Sequence, residues 1–442
     1  MNRGALWAVV LAGCASGAGA DNWPQWRGPL GTGAFAETGL PARWSKDAIA
    51  WKAPLGGMGV SSPIVWGDRV FVTSQQGRGT RRPGTHPTLA RGEEAGAEKP
   101  LGAAAPAEKG PHKVEFLVEA FQRKDGRRLW QYRLEAAGEL PPVHDKHNLA
   151  TPSPVTDGAL VYAWFGTGQI VALDMDGTPV WKRNLARDYG PYIINWGHGS
   201  SPTLYRDMLL LLCDHEPASY LLALDKRTGM RRYKVNRGKG RRSHSTPTVV
   251  RGPRGDELIV NSSARIDAYD PKTGKLLWYT GEPNRFPIAV PTFHAGVVYT
   301  SRGYRSGPYL AIRAGGRGDV TKSRVEWSVA TGAPYVSSLV YYDGLLYMAN
   351  DTGVVTAVDP ATGEKVWQER VDGIFTASPV AGDGKVYLLS ETGDVIVMRA
   401  GRHPGVLERN ALGMRLVASP AVSGGQFFVR GDEELLAVGR PR

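Results

Sequence analysis

Three histidines stand at one recurring place in the sequence. His147 precedes Ser153-Pro154, His198 precedes Ser201-Pro202, and His244 precedes Thr246-Pro247. A lone histidine usually bonds a nearby carbonyl. Three at equivalent points suggest a shared site, because imidazole changes charge near neutral pH and is a common ligand. Asn148 follows the first, Trp196 lies two residues before the second, and Arg241-Arg242 lie just before the third. A second set, Trp164, His215, Arg302, Tyr304 and Arg305, falls in a different but equally regular position. Guanidinium forks beside aromatic rings suit a carboxylate, phosphate, sulfate or sugar. Asp145, Asp214 and Glu216 would offset part of the positive charge. Asp214-His215-Glu216 contains metal-capable side chains, but no HxH, HExxH or CxxC spacing accompanies it, so no metal is expected. No nucleophile–base arrangement, phosphate loop or nucleotide motif stands out, and no catalytic residue is assigned.

The elements that would position these residues form a repeat. Segments at Ser62-Pro63, Ser153-Pro154, Ser201-Pro202, Thr246-Pro247, Val290-Pro291, Ser338-Leu339, Ser378-Pro379 and Ser419-Pro420 recur at roughly 40 to 50 residues, except across one insertion. The first seven are each followed by a turn and then an outer-strand slot, filled by the aromatics Trp130, Trp181, Tyr233, Trp278, Trp327 and Trp367, with Leu407 in the last. The stretch 336–373 shows the unit most clearly. It predicts an inner strand at 338–341, a second at 345–349, a third at 354–358 and an outer one at 365–370. Asp343-Gly344 suits a two-residue hairpin. One such sheet cannot bury both faces, whereas eight packed radially can, which predicts an all-β, eight-bladed β-propeller of four-stranded blades. Trp51 lies in an outer-type strand that precedes any inner strand, and Ser419 opens a blade with no outer strand after it. Residues 49–55 should therefore complete the last blade and remove two open sheet edges.

The motif (A/L)xDxxTGxxxW followed by SPxV resembles the pyrroloquinoline-quinone (PQQ) repeat, over roughly residues 45–440. That repeat is found in PQQ-dependent alcohol dehydrogenases and in the outer-membrane assembly lipoprotein BamB. The opening NWPQWRGPLGTG at 22–33 resembles the start of many secreted bacterial proteins of this kind. The resemblance to the dehydrogenases would imply a vicinal Cys-Cys pair, a Trp platform, a calcium site of Glu, Asn and Asp, and a catalytic Asp. The chain has two cysteines, Cys14 and Cys213, and they are not adjacent. No residues match the calcium ligands or the catalytic Asp by motif, so no cofactor is expected, with PQQ as the alternative.

Residues 1–20 read as an export signal: Arg3, an apolar stretch, then Ala18-Gly19-Ala20. Leu11-Ala12-Gly13-Cys14 also resembles a lipobox, which would place a lipid on Cys14. The domain reading is thus a signal peptide at 1–20, an extension at 21–46 and the propeller at 47–440. The segment 75–113, rich in Gly, Ala, Pro and charge, reads as a disordered insertion between the second and third strands of the first blade. The formal charge of +12 arises from 54 basic and 42 acidic residues, with a basic run at 231–242. With export, such charge points to anionic polysaccharide, lipid headgroups or an acidic protein rather than nucleic acid. The leading functional expectation is an exported, non-enzymatic monomer that binds a partner, with a role in envelope or outer-membrane protein assembly. A sugar- or anion-binding module and a divergent PQQ oxidoreductase are the rivals. The expected location is the periplasm or the medium, or the outer membrane if Cys14 is lipidated. The expected partner is an envelope protein or an anionic or polyhydroxyl ligand.

Overall fold

The structure, a computed structural model, describes residues 22–77, 113–138, 140–141, 143–144, 146–194, 196–304 and 306–440. The export signal with Cys14, most of the insertion, Asp145 and Arg305 lie outside the described residues.

Eight antiparallel sheets follow one another round a ring, as the repeat requires. In chain order the blades span 64–135, 155–184, 203–238, 248–280, 292–329, 340–370 and 380–411. The eighth takes its first three strands from 421–438 and its fourth from Ile49–Pro54. Ile49–Pro54 pairs antiparallel with Glu434–Val438, with Lys52 opposite Leu436, so the two ends of the chain close the ring in one sheet. In the sixth blade the strands are Val340–Tyr342, Leu345–Ala349, Val354–Val358 and Lys365–Arg370. Asp343 and Gly344 have φ of 49° and 77°, the left-handed pair that a tight hairpin between twisted strands needs. The fourth blade departs from the pattern. A two-residue strand, Gly318–Asp319, adds in parallel to its outer strand.

The repeated Ser/Thr-Pro phrase has a structural cause. The backbone N–H of Ser62 donates to Ser153 Oγ, that of Ser153 to Ser201 Oγ, and that of Ser201 to Thr246 Oγ1, each at 2.9 Å. The belt resumes from Val290 to Ser338, Ser378 and Ser419, at 2.9–3.0 Å. Each hydroxyl thus satisfies a buried amide of the preceding blade, and proline, having no N–H, adds no donor to satisfy. Val290 carries no hydroxyl, so it cannot accept from the fourth blade.

The outer-strand aromatics link blades at the rim. The indole N–H of Trp130 donates to Met175 O, that of Trp181 to Lys226 O and that of Trp367 to Gly401 O, at 2.8–2.9 Å. Each acceptor lies in the turn of the following blade. The turn glycine then rests on the ring: a β-carbon at Gly229 would lie 2.7 Å from Trp181, too close for any other residue.

Residues 22–44 run across several blades. Trp23 and Val65 exchange backbone bonds of 2.9 and 2.8 Å, and Phe35 and Gly33 bond Ala381. The Glu37 carboxylate accepts from the N–H groups of Gly424 and Gly425. The buried Arg27 guanidinium donates to the carbonyls of Gly31, Thr32 and Leu339. The segment therefore ties the first, sixth, seventh and eighth blades together.

The strands that flank the insertion are paired to their ends, with Gln76 opposite Glu115. Excising 78–112 and joining Gly77 to Lys113 through a two-residue turn should leave the thermal transition unchanged. A loss of cooperative melting would show that the segment holds the ring together.

Candidate functional site

Two sets of loops meet on one face: those entering each inner strand, and those between the second and third strands. On blades two to four they bring five histidines into one neighbourhood. His198 Nδ1 lies 3.2 Å from His215 Nε2. His198 packs against Trp164 with ring centroids 4.1 Å apart, and His215 packs against Tyr192 at 4.2 Å. His147 and His244 both border Gly199, and His144 meets Trp196 edge-on at 5.2 Å. The Nε2 atoms of His147 and His198 are buried without a hydrogen-bond partner among the described residues, as is Trp164 Nε1.

Burial holds four of these imidazoles neutral. It pushes His147 down to about 3, helped by His244 and His144 and opposed by the His198 backbone. It pushes His215 to about 3 against the pull of Asp214, and His244 to about 4. His198 sits well below the usual imidazole value, again through burial and then the neighbouring histidines. Cys213 is buried beneath, its Sγ 3.4 Å from Tyr192 Oη, and burial raises its thiol to about 12. It is an inert core thiol.

The arginines form a second group. Arg237 grips Asp214 with two bonds of 2.7 and 3.0 Å, both side chains fully buried. Burial would raise the Asp214 carboxyl, but Arg237 outweighs it and holds the group below the usual value. Asp267, equally buried, receives Arg237 at 3.1 Å, Arg241 at 2.8 Å and Arg265 at 2.7 Å. Arg242 pairs with Glu216 at 3.2 Å and lies 5.8 Å over Phe286. Arg302 is buried among Asn261 Oδ1, Ser262 O and Glu282 O, at 2.7–2.8 Å, and burial lowers its guanidinium to about 10. It rivets blade five to blade four. Tyr304 packs between Phe286 and Tyr335. Asn148 bonds Met58 O and caps its own turn at Ala150.

The sequence-chosen residues thus fall into an imidazole–aromatic cluster and an arginine–carboxylate network. Over the network lies an open cleft of about 570 Å³, bordered by Lys239, Arg241, Arg242, Ser263, Asn284 and Arg285. Lys239 and Arg285 are exposed and form no ion pair among the described residues. Sequence reading missed Asp267, which acts as the hub, although an acid inside the apolar run IDAY is a visible signal. No group of three or more His, Cys, Asp or Glu among the described residues could hold a metal ion.

Comparison with known proteins agrees with this architecture. The curated tetrathionate hydrolase of Acidithiobacillus ferrooxidans is 27% identical over 293 residues, 61% of this chain, and the chain spans about half (53%) of its length. BamB from Moraxella catarrhalis superposes with a TM-score of 0.53 at 16% identity, over 73% of this chain and 88% of that one. The quinohemoprotein alcohol dehydrogenase of Comamonas testosteroni gives 0.63 at 14% identity, over 97% and 82%. At such identities these two structures speak for the fold alone. The family described as outer membrane protein assembly factor BamB matches at 114–306, 266–407 and 316–439, overlapping segments that together cover most of the ring. The chain belongs to the PQQ-repeat propeller family of the outer membrane protein assembly factor BamB.

Proposed function

We propose that this propeller is a non-enzymatic envelope scaffold that binds an acidic partner in the cleft over blades three to five. The charge of the cleft carries the reading. Arg237, Lys239, Arg241, Arg242 and Arg285 line the cleft, five basic groups, of which Asp214, Asp267 and Glu216 pair with the first, third and fourth. The buried Arg–Asp pairs fix the floor, so the exposed Lys239 and Arg285 are presented on a rigid base, which limits the ordering cost of binding. The family's role in outer membrane protein assembly fits such a surface.

A second reading has a specific observation behind it: a relative named for tetrathionate, a dianion, and a cleft rich in cations. Under that reading the ligand is a small oxoanion. The quinoprotein reading fits less well. Trp164, the tryptophan nearest the cluster, is fully buried with its ring against His198, so it offers no open platform. No adjacent cysteine pair exists in the sequence.

The test is charge reversal. Lys239→Glu with Arg285→Glu should abolish salt-sensitive capture of acidic envelope protein and leave the melting temperature within about 2 °C, since both side chains are exposed. Capture that survives reversal would remove the cleft from the function. Consumption of tetrathionate by the purified protein would overturn the non-enzymatic reading.

A further inference from the structure

Across the ring from that cleft, the turns NDTGVV at 350–355 and SETGDV at 390–395 each bring a carboxylate to the mouth. Glu391 meets Lys146, which arrives from the loop entering blade two. Nζ and Oε1 are 2.5 Å apart, and both side chains are 8% exposed. Thr376 Oγ1 donates to the same oxygen. In the neighbouring turn Asp351 is also 8% exposed, and its Oδ1 has no hydrogen-bond partner among the described residues. The groups acting on Asp351 are Lys146, Glu391, its own amide and the amide of Tyr335. The Tyr335 ring continues the row toward Tyr304 at 5.7 Å.

Two buried carboxylates therefore lie near one ammonium, which is ion-paired to Glu391 and leaves the Asp351 Oδ1 acceptor unfilled among the described residues. A buried anion with an unfilled acceptor is costly unless a cation or a proton completes it. The empty acceptor requires a donor, and a carboxylate favours a cationic one. We propose that Asp351, with Glu391 and Lys146, forms a binding site for a primary alkylammonium group, supplied by a small amine or by a lysine side chain of a partner protein. The site is separate from the cationic cleft and selects the opposite charge. Burial, opposed by Lys146 and reinforced by Glu391, raises the Asp351 carboxyl to about 6. The site is therefore charged above that pH and neutral below it.

Binding of n-butylammonium chloride, 1-butanol and an acetylated, amidated Gly-Lys-Gly peptide to the full chain can be followed by NMR titration. At pH 7.5 a saturable response is expected for the amines and none for butanol. At pH 5, with a native near-UV spectrum confirming that the ring is still folded, affinity should fall about tenfold, because Asp351 has taken up its proton. Asp351→Asn keeps the shape and should bind about tenfold more weakly at pH 7.5, with no dependence on pH. Saturation by butylammonium alone would support a small amine, and by the peptide alone a protein lysine. The proposal is overturned if neither amine saturates, if butanol binds equally, or if Asp351→Asn matches the wild type. Should that variant fail to fold, wild-type affinity that is flat between pH 5 and 7.5 overturns it as well.

Discussion

Acidification from pH 7 to about 4.5 is expected to unfold the ring cooperatively, through the histidine cluster. His147 and His215 are held near 3 and His244 near 4, whereas the unfolded chain titrates at the ordinary 6.5. A group with a depressed imidazole value contributes stability that is fully present above pH 6.5. The unfolded state takes up protons first as pH falls, so that stability is lost between 6.5 and about 3. At pH 4.5 each of the three accounts for roughly 2 to 2.5 kcal/mol, somewhat less for His147 and His244, which keep a partly exposed edge. Asp351 works in the opposite direction. Its raised carboxyl destabilises the fold above pH 6, and acidification recovers about 2 kcal/mol. The net loss is on the order of 5 kcal/mol, comparable to the whole stability of many domains. Near-UV circular dichroism against pH should show one transition with an uptake of two to three protons. His215→Phe, which retains the stack on Tyr192, should lower that uptake by one. A native spectrum at pH 3.5 would refute the buried, neutral cluster.

The fold was legible because its signals are local and repeated. Ser153, Ser201, Ser338, Ser378 and Ser419 each accept a neighbour's amide, so the hydroxyl recurs at most of the blade junctions, with Val290 the exception. Trp130 and Gly177 recur as a pair because the indole covers the next turn. Residues 345–349, 354–358 and 365–370 match their observed strands. The inner strand begins two residues later than the pattern suggests, at Val340, because Ser338 belongs to the hydroxyl belt.

The site was legible only in part, since its partners lie far apart in sequence. Arginines could be counted but not paired. Asp267 sits in a strand that reads as core, and only the ring places it beside Arg237, Arg241 and Arg265. Lys146 and Glu391 are 245 positions apart, and their loops meet only because the chain closes on itself. The three histidines could be grouped because their positions share the repeat register. His215, which joins them, lies in the other loop set.

Removing residues 22–55 should have the largest effect of any single change. The closure strand Ile49–Pro54 supplies the outer edge of the eighth blade, and Trp51 donates to Arg123 O at 2.8 Å across the seam to the first blade. Without it, Glu434–Val438 becomes an exposed edge on an apolar sheet, Phe427 and Phe428 lose part of their cover, and edge-to-edge association follows. The preceding segment adds a second clasp. Trp23, Phe35, Trp44 and Glu37 reach the first, seventh and eighth blades, and Trp44 N–H bonds Asn410 Oδ1 at 2.7 Å. The two clasps can be separated experimentally. Deleting 22–44 alone should lower the melting temperature by several degrees and leave a soluble monomer, because the seam stays paired. Deleting 22–55 should yield aggregates, or a species without cooperative melting. Arg27→Met tests the intermediate case. That guanidinium is buried, and burial depresses it to about 9, yet its loss would leave the carbonyls of Gly31, Thr32 and Leu339 without their donor, so the substitution should lower the melting temperature by several degrees while the ring stays closed. A soluble, cooperatively melting 22–55 deletion would mean that the eighth blade is stable with three strands, and that ring closure contributes less than the hydroxyl belt.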